Sequence, residues 1–510
     1  MSIFKPYYIA EPDLIFGNHK EEKDPRLGLK YFGPYFTSDE KTYSPKQARI
    51  GIIGTGHTIF LTNQLLNLIK QEIISDSNNK WLFPDYVGAS LNNGIRCEFI
   101  TSNIWNSRIY NYEIQSILKE TDTNIRINEG VKLFIEKIKK ILIEGSTPDV
   151  IICALPTEIE VYCGISEFTE GAKRPKYTEL EIKMAEFKES GQSFLDEWFV
   201  DIEPPKESKE EKKKSYDFRN SLKGQAMQFD VPTQIIKQST LEGILNYSPT
   251  SGLQHPSTFS WNLSTGLYYK ARGRPWRLAK LIEGTCYVGV SFYENKLDPR
   301  YNIETSMAQV FTHTGEGFVL RGSDVIVDEF TREKHLTEVQ AYDLLRDAVN
   351  LYKNKTDTNP IRVVLHKTSL FNEAEQKGFS NAISNTQRDF VSLTKEYEIK
   401  FLRTGQYPIL RGTVIPITKY QYLLYTVGYI PRLRTYPGHR IPIPLLVTHI
   451  GDTEINIVCS EILGLTKINW NTTQFSTQLP ITLEFADRVG KVLSELPKDK
   501  EIKNHYKFYM

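Results

Sequence analysis

Two short runs of apolar residues, ARIGIIG at 48 to 54 and DVIICAL at 149 to 155, alternate with segments whose apolar residues recur at a helical period. Runs this short, rich in isoleucine and valine, are the pattern of strands covered on both faces. The segments HTIFLTNQLLNLIKQEI (57 to 73) and VKLFIEKIKKILIEG (131 to 145) are amphipathic and would supply the covering helices. This alternation predicts an α/β fold. With 510 residues, 40% of them hydrophobic, the chain is long enough for more than one such unit. A second series starts at Thr285 and runs through CYVGVSFY, AQVFTHTGEGFVL, the helical TEVQAYDLLRDAVNLYKN, the strand IRVVLHKT, and later LLYTVGYI, PIPLLVTHI and ITLEFADRVGKVLSEL. The expected division is therefore 1-283 and 284-510. Between the first unit's parts, EPPKESKEEKKKSYD (203 to 217) carries two prolines and a mixed-charge run and reads as a solvated loop or a frayed helix start.

Composition removes several classes of function. A formal net charge of +1 and a sequence pI near 7.6 exclude a uniformly basic nucleic-acid binder, so a nucleic-acid site must come from locally clustered cations. The start, MSIFKPYYIAEPDLIF, lacks a basic segment followed by a clean apolar run, and no apolar stretch of about 18 residues occurs, which predicts a cytoplasmic location. Cys97, Cys153, Cys163, Cys286 and Cys459 lack CxxC spacing and are expected as reduced, mostly buried thiols. The loop GIIGTGHTIF (51 to 60) follows a strand and opens a helix, but the third glycine position holds Ile59 and no Lys-Ser/Thr pair follows. A tight strand-to-helix turn is expected there rather than a nucleotide loop. Neither GxSxG nor HExxH is present, His366 has no evident carboxylate partner nearby in sequence, and Cys153 and Cys286 sit in apolar strands that would raise a thiol pKa.

The sharper signal is RNSLKGQAMQFDVPTQ at 219 to 234. On a helix, Arg219 and Lys223 lie one turn apart on one face, with no acid near enough along the helix to neutralise them. A terminal phosphate monoester carries close to two negative charges and is best held by donors converging from several segments. Gln234 at the end of VPTQ and Lys270 in GLYYKARGRPW could complete such a ring.

This series resembles the guide-phosphate pocket of the MID domain of Argonaute proteins. Further segments, including DPRLGLKYFGPY (24 to 35), NLSTGLYYKARGRPWRLA, GEGFVLRG, LTKINWNTTQF and PITLEFADRVGKVL, resemble those of short prokaryotic Argonautes, which comprise MID and PIWI domains and lack the N-terminal and PAZ domains. The resemblance implies a Rossmann-like MID domain followed by an RNase H-like PIWI domain. It implies a guide 5′-phosphate site at Arg219, Lys223, Gln234 and Lys270. Arg219 replaces the Tyr or His frequent at the first position, which leaves its stacking on a first base less defined.

Slicing members of that family carry an acidic tetrad, because two divalent ions about 4 Å apart need several carboxylates. Here Ser291 and Thr368 stand where two of the family's aspartates would, Asp487 alone matches a ligand position, and Glu316 has no firm assignment. The resemblance therefore implies a catalytically inactive PIWI domain, the alternative being a metal-dependent guided endonuclease whose acids lie elsewhere. The aromatic tail KNHYKFYM is expected to pack, either docked by its rings alone or with the Met510 carboxylate helping to hold Mg²⁺ beside the guide phosphate, as the family implies. Arg272, Arg274, Arg277, Arg403, Arg411, Arg432 and Arg434 are candidate wall residues of a nucleic-acid channel. By resemblance the ligands are a short guide RNA and a complementary single-stranded DNA target. The implied partner is an APAZ-containing effector protein, with a TIR, sirtuin-like or nuclease domain, that target pairing switches on in bacterial defence. A guide-independent scaffold protein is the remaining class.

Overall fold

The computed structural model describes residues 5–36, 44–144, 147–164, 216–248, 253–294, 303–326, 334–397, 399–436 and 441–510. Most of the charged segment 203 to 217 lies outside them.

Four parallel strands form the first sheet: β1 (Gln47–Gly54), β2 (Glu98–Arg108), β3 (Val150–Leu155) and β4 (Thr233–Lys237), in the order β2-β1-β3-β4. That order is doubly wound, and side-chain alternation divides its core in two. Ile50, Ile52, Ile152 and Ala154 face Leu61, Leu65 and Leu66 of helix α1 (Gly56–Leu68). Ile53, Ile151, Cys153 and Leu155 face Val131, Phe134 and Ile138 of α2 (Thr123–Glu144), together with Phe218 and Leu222. The Gly-rich turn is tight, as its sequence suggests. Thr55 caps α1 by accepting from the Thr58 amide, and a Cβ on Gly54 would lie 2.2 Å from the Thr58 hydroxyl and 2.9 Å from the Ala154 carbonyl. Glycine is needed there for strand and helix to close up.

Nine strands, among the described residues, make the second sheet. Its core is β5 (Thr285–Glu294), β6 (Ile303–Thr312), β7 (Gly317–Ile326), β8 (Arg362–Lys367) and β9 (Gln387–Lys395), arranged β7-β6-β5-β8-β9. The first three pair antiparallel, and β5, β8 and β9 pair parallel. This is the RNase H-like strand order. Val288, Val290, Val363 and Leu365 meet Ala341, Leu345 and Ala348 of helix Glu338–Thr356 on one face. On the other face Tyr287, Val364 and Val391 belong to the same apolar cluster as Ile50 and Leu65, so the two units share one continuous core.

The expected break near 283 falls in the short link between the strands Arg277–Leu278 and Thr285–Glu294. Both chain ends cross it. Tyr7–Tyr8 pairs with Thr413–Pro416 of the large sheet, while Leu14–Ile15 pairs with Arg277–Leu278. The segment Tyr506–Met510 is buried, and the Val319 amide donates to the Asn504 carbonyl at 2.7 Å. All five cysteines are buried and unpaired, in keeping with their spacing. No helix among the described residues is long and apolar enough to cross a membrane.

Candidate nucleic-acid interface

Helix α3 (Phe218–Ala226) begins at Asp217, whose carboxylate accepts from the Asn220 amide at 2.8 Å. One turn apart, Arg219 stays exposed at the rim while Lys223 is only 4% exposed. Gly224 makes the burial possible: a Cβ there would lie 2.9 Å from Leu496, the residue that presses the helix inward. The Lys223 ammonium donates to the Thr233 carbonyl at 3.4 Å and to the main-chain oxygen of Met510. The next residue of β4 is Gln234, whose Oε1 accepts from Lys270, the last residue of α4 (Pro256–Lys270) and 1% exposed. Thus Arg219, Lys223, Gln234 and Lys270, spread over more than fifty positions, meet at one place together with Met510.

Two cavities open on this cluster and share Asp217, Arg219 and Asn471. One of about 540 Å³ is lined by Gln234, Lys237, Thr240 and Asn262, with Ile235 and Leu263 as apolar wall. The other, about 420 Å³, is lined by Lys223, Tyr509 and Met510 and by Asp487, Arg488 and Lys491 of α5 (Ala486–Ser494). Burial, and after it the positive potential of Arg219, pushes the Lys223 ammonium down to about 7, with Cys153 opposing the shift and Arg488 adding least to it. Burial also holds Lys270 well below the usual lysine range, reinforced by Lys223 and Arg219. No side-chain carboxylate among the described residues pairs with either lysine. Buried cations stacked in this way are stabilised by an anion, and one of high charge density most of all.

Arg488, Lys491 and Asn471 were not identifiable as pocket residues from sequence. The one local hint is the spacing from Asp487 to Lys491, which forms a 2.7 Å pair across one helical turn. Asp487, the one acid at an expected metal-ligand position, thus lines the second cavity, whereas Ser291 and Thr368 do not. Ser291 lies on β5 opposite Met307, with its hydroxyl buried and without a hydrogen-bond partner among the described residues. Thr368 follows β8, and its carbonyl accepts from the Thr394 hydroxyl at 3.1 Å. Buried His366 shares a 2.7 Å hydrogen bond with Thr482 and is pushed down to about 3 by burial and by Arg362.

The candidate wall residues divide. Arg411 is not on a wall. It is fully buried, clamping Glu11 at 2.8 Å and donating to the Thr426 carbonyl, the Leu463 carbonyl at 3.0 Å and the Thr466 hydroxyl at 2.9 Å. Lys467 holds the other Glu11 oxygen at 2.8 Å, so this cluster ties the N-terminal segment to the large sheet. Arg274 pairs with Glu316, and Arg274 and Arg277 both lie over the Tyr35 ring. Arg432 is bound to Glu22. Arg272, Arg403 and Arg434 are exposed.

No protein-family model matches the sequence, and no curated protein matches it. Solved structures do. The Clostridium butyricum Argonaute bound to a guide DNA and a 19-mer target DNA superimposes over 98% of this chain, with a TM-score of 0.59 and 14% sequence identity. The fold is that of the Argonaute MID and PIWI domains. An Aquifex aeolicus Argonaute gives a TM-score of 0.54 at 14% identity over 99% of the chain, and Aa-Ago with externally bound siRNA gives the same three values. The chain spans about half the length of these Argonautes, 54% of the first and 57% of the second. The parallel sheet is accordingly the MID-like unit and the nine-stranded sheet the PIWI-like unit. The phosphate-pocket candidates sit where the PIWI-like helix α5 and the chain's last residues come up against the MID-like unit.

Proposed function

We propose that this chain is the guide-dependent recognition subunit of a short Argonaute system. It anchors the 5′ phosphate of a guide RNA at Arg219, Lys223, Gln234 and Lys270 and reads a complementary DNA by base pairing. The observation that carries this reading is the burial of Lys223 and Lys270 beside Gln234 without a side-chain carboxylate partner among the described residues, a site whose charge a phosphate dianion would balance. Arg488 and Lys491 line the adjoining cavity and would meet the backbone that follows the terminal phosphate. Neutral hydroxyls at Ser291 and Thr368 support target recognition without cutting, because they do not offset the charge of two divalent ions. A recognition protein that does not cut needs a partner to act, and the effector is proposed to be a separate APAZ-containing protein activated on target pairing.

A Mg²⁺ ion beside the phosphate does not suit the residues here. Such an ion needs a near-octahedral set of oxygens. The Met510 oxygen and Gln234 Oε1 accept from the two lysines, the Asp217 carboxylate caps α3, and Asp487 is held by Lys491.

The test is capture of a labelled single strand by the purified chain loaded with 5′-phosphorylated guide RNA, followed by incubation with Mn²⁺. Retention of the complementary DNA alone, recovered at full length, is the expected result. Retention irrespective of guide sequence would refute guided recognition, and shortened DNA would establish the endonuclease.

A further inference from the structure

We infer that 5′-phosphate anchoring by this chain is independent of divalent metal, the ammonium groups of Lys223 and Lys270 standing where a bound cation would otherwise bridge protein oxygen to phosphate. The inference rests on the phosphate reading of the pocket and concerns what supplies its positive charge. A bridging cation needs protein oxygens with lone pairs aimed into the site; besides neutral side-chain oxygens such as those of Asn471 and Tyr509, four sources border it: the Met510 main-chain oxygen, Gln234 Oε1, Asp217 and Asp487. Each has a nitrogen donor from the protein. Lys223 donates to Met510, Lys270 to Gln234, the Asn220 amide to Asp217 at 2.8 Å, and Lys491 to Asp487 at 2.7 Å.

Charge points the same way. Arg219, Lys223, Arg488 and Lys491 border the 420 Å³ cavity, against the carboxylates of Asp217, Asp487 and Met510, and Lys270 lies behind Gln234. A dication entering this field is repelled, whereas a phosphate dianion is attracted. Among the described residues no group of three or more His, Cys, Asp and Glu side chains is gathered that could hold a metal. Both lysines are enclosed, and a Lys223 head group that reaches the Thr233 and Met510 oxygens together is a fixed donor. It supplies to a phosphate a single positive point charge, half that of a divalent ion, without the cost of stripping that ion's water.

The experiment measures affinity of the full chain for a 5′-phosphorylated and a 5′-hydroxyl guide RNA of one sequence, in excess EDTA and in millimolar Mg²⁺ at matched ionic strength. The expected result is tighter binding of the phosphorylated guide by the same ratio, within about threefold, in both buffers. A ratio that falls more than about tenfold in EDTA and returns with Mg²⁺ overturns the inference while leaving the phosphate pocket standing. Equal affinity for the two guides in both buffers overturns the pocket itself, and the inference with it. A second readout is Mn²⁺ electron paramagnetic resonance of the two complexes: no additional bound ion with the 5′ phosphate is expected, and one extra ion per complex would overturn the inference.

Discussion

Lys270→Met is the most discriminating perturbation of the pocket. The side chain is 1% exposed and ends α4, and its ammonium contacts Gln234 rather than solvent. Methionine keeps the unbranched stem and removes the charge. The loss is one hydrogen bond to a charged group in a desolvated site, worth about 2–3 kcal/mol. At about 1.4 kcal/mol per decade, that is roughly a 30- to 150-fold weaker affinity for a 5′-phosphorylated guide. The 5′-hydroxyl guide should bind wild type and variant alike, so protein change and guide phosphate form a double-mutant cycle with a coupling of the same about 2–3 kcal/mol. Fluorescence anisotropy with both guides on both proteins measures it. Folding should not suffer, because burial holds the Lys270 ammonium well below its usual range and so opposes the native state. An equal loss for the two guides would show a structural role instead, and no loss for either would remove Lys270 from the site.

Arg411→Met should destabilise the fold by about 3–5 kcal/mol, because it leaves Glu11 with Lys467 alone and removes one donor from each of the buried Thr426 and Leu463 carbonyls. Urea unfolding reads this, and guide affinity of the folded fraction should be unchanged. Arg488→Ala should weaken binding of phosphorylated guides several-fold and lower the slope of log affinity against log salt by about 1, as expected for one lost phosphate contact. Acid should loosen the protein through His366. Its folded pKa, near 3, lies below the unfolded value, so the unfolded chain binds the extra proton first. Stability should therefore fall as pH drops from about 6.5 towards 3, by at most about 1.4 kcal/mol per pH unit. Thermal unfolding of wild type and His366→Gln checks this, the variant showing the flatter profile over that window.

The architecture was legible because its signal is local. Ile50, Ile52 and Ile53 announce a strand buried on both faces, and Arg219 and Lys223 announce a basic helical face without any knowledge of what it meets. Gln234 and Lys270 could be joined to them only through the Argonaute resemblance, since the contacts span 36 residues and more. What stayed hidden depends on pairing across the whole chain. Arg411 reads as a surface cation until Glu11, 400 residues away, is found beside it, and Arg274 meets Glu316 from the other unit. Arg488 and Lys491 belong to a helix of the PIWI-like unit that borders the MID-like pocket, and nothing in ADRVGK points there. The Tyr7–Tyr8 strand was equally invisible, because two residues carry no periodicity.

The central claim is that two enclosed lysines, with Arg219 at the rim, hold a terminal phosphate. Competition between otherwise identical guides carrying a 5′ phosphate or a 5′ hydroxyl for the unmodified protein tests it most directly. The phosphate is expected to strengthen binding by at least about 30-fold, the worth of one charge-assisted contact in a buried site. Indistinguishable dissociation constants for the two guides would contradict it.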